Sequence, residues 1–153
     1  MALPQAKLDA TEARLASMAR PEGGAWMSEA RDAALVRVQA MGLPGRRDEY
    51  WKYTRPETLV QVGAPPAALF ENAEAPIFGA LDRVKIVFVD GVFDPDASDD
   101  LTLEGVSIER LAEAGATDIH WAKDVSGVLA ARGQVPVERP LAALNTACAP
   151  AGV

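Results

Sequence analysis

Apolar residues recur along the first part of the chain with a helical period. Leu8, Thr11, Leu15 and Met18 share one face at that spacing, while Lys7, Glu12 and Arg14 fall elsewhere. A helix is expected there, ended by Pro21 and Gly23-Gly24. The period returns from 26 to 41, where Ala30, Ala33, Ala34, Val38 and Met41 form an apolar stripe. Glu29, Arg31, Asp32 and Arg37 are expected to face water. Gly42 then supplies a residue free to take positive φ, Leu43 can pack back on the last turn, and Pro44 forbids continuation.

Beyond residue 53 the elements become shorter. Thr54 or Arg55 can cap a helical turn that has Pro56 at its first position and continues through Glu57, Leu59 and Val60. Residues 63–76 are rich in Ala and Pro, which suits an irregular connection with at most a helical turn at 67–71. Residues 84–89 are nearly all apolar, as in a strand covered on both faces. Asp90-Gly91 suits a tight hairpin turn, and Val92-Phe93 begins the return strand. A short strand is expected at 105–108 and helices at 109–114 and 124–132, the latter stopped by Gly133. Pro140 opens a last helix through Leu141, Leu144 and Cys148. Helices first, then short strands mixed with short helices, give an α+β fold class rather than an alternating parallel sheet. The expected organisation is a helical N-terminal region at 1–62, a linker at 63–80 and a mixed strand/helix region at 81–153.

Composition narrows the function. The 153 residues suit one domain, with 49% hydrophobic and 24% charged residues. A net charge of −7 argues against a general binder of phosphate backbones and against attraction to an anionic membrane. Cys148 is the only cysteine, so no internal disulfide can form. The first residues have no apolar stretch of signal-peptide length, and no run approaches a membrane span. A cytoplasmic protein with no nucleic-acid or membrane partner is expected.

Candidate chemistry is thin. Asp94, Asp96, Ser98, Asp99 and Asp100 form an acidic cluster like a calcium loop. Counted from Asp94, however, the sixth position is Asp99 instead of glycine and the twelfth is Gly105 instead of a bidentate glutamate. A solvated turn is the expectation. His120, the only histidine, is expected to be a partly buried, hydrogen-bonded residue beside Trp121, and Cys148 a small hydrophobe on the last helix. Neither a Gly-rich phosphate loop nor a G-x-S-x-G elbow occurs. No catalytic, metal-ligating or cofactor-binding residue is assigned.

One stretch stands apart, Arg46-Arg47-Asp48-Glu49-Tyr50-Trp51-Lys52-Tyr53-Thr54 with Arg55 behind it. Its basic and aromatic residues could stack single-stranded bases, but Asp48 and Glu49 halve the local charge. Burial of Trp51 and Tyr53 is the better expectation. An Arg or Lys would cover a ring face for about 0.5–2 kcal/mol, and Glu49 would pair with a neighbouring cation. Arg47, Glu49, Trp51, Lys52, Tyr53 and Thr54 are therefore read as a structural or interaction anchor. As a buried aromatic, Trp51 should cost about 3–5 kcal/mol on truncation to alanine.

The same residues carry a family resemblance. Gly42-Leu43-Pro44 followed by Arg47, Glu49 and Trp51-Lys52-Tyr53-Thr54 resembles the N-terminal signature of the SufD-type scaffold subunit of the SUF iron–sulfur cluster assembly system. Three later stretches resemble the family in the same order: Ile86 to Phe93, Gly105-Val106 leading to Leu111, and Pro140 to Ala147. The resemblance implies a non-catalytic subunit that joins a SufB-type scaffold and a SufC-type ATPase, the cluster residing on the whole complex and not on this chain. It implies a long right-handed parallel β-helix beginning about where these 153 residues stop, so the mixed region leads toward that absent element. The alternative reading is a free-standing α+β protein–protein interaction module, with an enzyme a distant third.

Overall fold

A computed structural model describes residues 3–63, 77–89, 92–102, 105–132 and 137–149. The expected turns at 67–71 and at Asp90-Gly91, and the stop at Gly133, lie outside these residues. Helices α1 (Gln5–Ala16) and α2 (Ala25–Met41) come first, then a 3₁₀ turn at Glu49–Trp51 and a single-turn helix, α3 (Glu57–Val60). Strands β1 (Val87–Val89) and β2 (Val92–Asp94) follow, then α4 (Leu111–Ala114), a 3₁₀ turn at Trp121–Asp124, α5 (Val128–Arg132) and α6 (Pro140–Cys148). Mixed helices with a small antiparallel sheet make the fold α+β.

Helix α2 is the centre of the molecule, and its main partner is α6. Ala34 and Ala143 are fully buried and Ala147 nearly so, small residues that let two helices approach closely. Val38, Met41 and Leu43 pack there with Leu144, and Leu15, Met18, Val60, Leu141 and Cys148 close the edges. Burying Val38 alone is worth about 1.5–3 kcal/mol. A second cluster forms at the other end of α2, where Trp26 and Met27 meet Ala122 and Leu111.

Two glycines seat that second cluster. The Gly24 N–H donates to the carbonyl of Gly115 at 2.5 Å, and a Cβ on Gly24 would stand 2.7 Å from that oxygen. A Cβ on Gly115 would stand 2.9 Å from Met27 Cε. The Trp26 indole N–H donates to the Thr117 carbonyl at 2.8 Å, fastening the turn after α4 to the start of α2. Gly23-Gly24 therefore serves the entry to α2, whereas α1 has already ended at Ala16, before Pro21.

Several expectations are corrected. Arg31 does not face water. It is 4% exposed and its guanidinium donates to the carbonyls of Pro21, Glu22 and Ala149, tying the loop before α2 to the end of α6. Ala33, placed on the stripe by period alone, is exposed. Pro56 precedes α3 as its cap instead of being its first residue, and is fully buried. The strand expected over 84–89 narrows to three residues of a two-stranded sheet, and it is not covered on both faces, since Val89 is 51% exposed. Residues 105–108 form only an isolated bridge at Val106. The helix expected over 124–132 begins at Val128, after the 3₁₀ turn.

The hairpin register pairs Val89 with Val92 and Phe88 with Phe93, the rings 5.7 Å apart. Arg110 lies over the Phe93 ring at 5.3 Å and reaches Glu113 at 3.6 Å.

Candidate functional site

The aromatic–charged stretch begins where α2 stops. Gly42 has φ +64° and ψ 154°, a region that side-chain-bearing residues rarely enter, and its N–H still bonds the Val38 carbonyl. The turn delivers Leu43 into the core, where its N–H donates to the buried Thr11 hydroxyl at 2.9 Å. That hydroxyl in turn donates to the Lys7 carbonyl, so one side chain joins α1 to the exit of α2.

Asp48 closes the next turn. Its carboxylate accepts from the Gly45 N–H at 2.9 Å and from Lys7 Nζ at 2.8 Å, while its own N–H donates to the Gly45 carbonyl. Burial pushes the Asp48 carboxyl up. The Lys7 hydrogen bond, the Gly45 N–H and the Lys7 charge together outweigh it and hold the group below the usual carboxylate range. The stretch is thus held down by charge and backbone.

Its aromatics are not what anchors it. Tyr53 is 93% exposed and Tyr50 67%, and Trp51 is half-buried, which corrects the expectation that Trp51 and Tyr53 would both be covered. Arg47 and Thr54 are exposed as well. The expected pairings do form on the surface: Lys52 reaches Glu49 at 2.5 Å and lies over the Tyr53 ring at 5.2 Å. Arg46, Arg47 and Arg55 make no ion pair among the described residues. Tyr50 and Trp51 border a groove of about 400 Å³ that runs past Gly42 to Glu138 and Pro140 at the start of α6. The deeply buried indole is Trp26, which sequence reasoning passed over. Extending the α2 stripe back from Ala30 by one turn reaches it.

Other candidates resolve into local structure. Asp94 accepts from the N–H groups of Asp96 and Ala97, Asp99 from that of Lys85, and Asp100 from that of Thr102, so the acidic cluster folds its own loop. No group of three His, Cys, Asp or Glu side chains that could hold a metal ion occurs among the described residues. Burial pushes the Cys148 thiol up against the pull of Arg20, Arg31 and Arg14, which keeps it a thiol. His120 is partly buried, as expected. Its Nδ1 accepts from the Ala122 N–H at 3.1 Å, which leaves the Nε2 proton facing Glu109 at 3.3 Å. Ser107 donates to the other Glu109 oxygen at 2.8 Å. This serine therefore faces a carboxylate, and the imidazole's acceptor nitrogen is already occupied, so the trio is no activated nucleophile.

No helix among the described residues is long and apolar enough to cross a membrane. Comparison with known proteins gave no match to any family model, curated protein or solved structure.

Proposed function

We propose that the chain is the N-terminal region of a SufD-type scaffold subunit of the SUF iron–sulfur cluster assembly system. It works in the cytoplasm by binding other proteins and carries out no catalysis. The observation that carries this reading is the ordered motif Gly42-Leu43-Pro44 to Trp51-Lys52-Tyr53-Thr54. Its exposure supports a binding role. Tyrosines flanked by arginines, presented on a turn fixed by Asp48 and Thr11, have the composition of an interaction hot spot. The partners are the SufB-type scaffold and the SufC-type ATPase, and the cluster belongs to the assembled complex.

Co-expression of the complete coding sequence with SufB- and SufC-type proteins tests it. Both should co-purify with the chain, and recovery of neither would sink the assignment. A free-standing interaction module is the second reading, favoured by the same exposed tyrosines. Under it, Tyr50→Ser with Tyr53→Ser would abolish capture of a different protein while SUF components never bind.

A further inference from the structure

A second concavity, of about 470 Å³, lies away from the aromatic stretch between Ile86, just before β1, and the 3₁₀ turn at Trp121–Asp124. Its size is that of a small-molecule site. Ile86, Leu111, Ala122 and Val125 supply apolar wall, and Trp121, a residue 73% exposed, stands at it. Among the described residues, Glu109 and His120 are the only ionisable ones lining it, and neither lysine nor arginine does. Arg110, next in the chain, is turned to Phe93 and Glu113.

Glu109 is held in place. Ser107 fixes one carboxylate oxygen and His120 approaches the other. Each carboxylate oxygen offers two acceptor positions, so both retain capacity, and the side chain is 50% exposed. The Ser107 hydroxyl first, and His120 second, hold the group below its usual range, so it is ionised at neutral pH. An apolar body facing Trp121 and a positive charge on Glu109 are what this arrangement accepts. The Trp121 ring, tilted against His120 with centroids 5.5 Å apart, offers that body an aromatic wall. Anions are disfavoured by Glu109 and by the overall charge of −7.

We propose that this groove is a binding site for a small organic ammonium ion with an aromatic or branched aliphatic body, received by Glu109 and Trp121. The test is an NMR titration of the protein with three probes of one shape: phenethylamine, phenethyl alcohol and hydrocinnamate. Phenethylamine should shift the Trp121 indole signal and the amides of 107–111 and 120–126 saturably. It should bind about 10-fold or more tighter than the alcohol, with hydrocinnamate weakest, as a charge-assisted hydrogen bond requires. Glu109→Gln should bring amine and alcohol to parity. Trp121→Ala, at a largely exposed position, should weaken the amine about 2- to 5-fold. Equal binding of amine and alcohol to the unaltered protein would show an apolar crevice only and overturn the proposal. So would amine-induced shifts confined to other surfaces, or no shift at all.

Discussion

At the scale of single residues, the junction after α2 depends on Gly42 and Thr11. Gly42 combines positive φ with crowding: an added Cβ would stand 2.9 Å from Lys7 Cε and 3.2 Å from Leu3 Cδ1. Gly42→Ala should destabilise the protein by about 1–3 kcal/mol, read from chemical denaturation. Wild-type stability in that variant would mean that the exit from α2 can be rebuilt. Arg31 teaches the opposite lesson about what a residue type announces. A guanidinium on an amphipathic helix is expected in water, yet two carbonyls of the preceding loop and one from the far end of α6 converge on it. Nothing in the local pattern of α2 records those carbonyls, because they arrive only with tertiary structure.

At the scale of elements, the boundary of α2 was legible because its signals are local: a 3.6-residue period, then Gly-Leu-Pro. Strand length and strand coverage were not, since each depends on a partner element. Residues 105–108 have strand-like composition but form only the bridge at Val106. The candidate site was half legible. Its position, a cation beside Glu49 and a cation over a ring followed from composition, whereas the choice of Lys52 for both and the exposure did not, because mixed aromatics and charges suit a core edge and a surface equally. Trp26 and Trp51 turn this into a measurement. Trp26→Phe removes the indole bond to Thr117, and Trp26→Ala should cost about 3–5 kcal/mol, as for a buried aromatic. Trp51→Ala, at a half-buried position, should cost about 1–2 kcal/mol, below the value expected for a covered ring. Thermal melting of both variants side by side gives the order, and the reverse order would contradict the burial described for Trp51.

At the scale of the whole molecule, acid should weaken the fold through a few specific carboxylates. Asp48, Asp100 and Glu109 all sit below their usual ranges when folded. A group with a depressed folded value contributes its stability above its unfolded value and loses it as pH falls through the folded one. Melting temperature should therefore fall below about pH 4, with little change between about pH 5 and 7 from these groups. Asp48→Asn should remove part of that dependence and cost about 0.5–1 kcal/mol at neutral pH, a small figure because the side chain is partly open to solvent. The pairing of α2 with α6 also has a consequence in time. About a hundred residues separate the end of α2 from the start of α6, which at ordinary translation speeds takes the ribosome about 5–20 s to make. During that interval Val38 and Met41 can pack only against Leu15, Met18, Leu43 and Val60, without the cover that Ala143 and Leu144 later supply, so apolar surface on the first third of the chain stays open until α6 is synthesised.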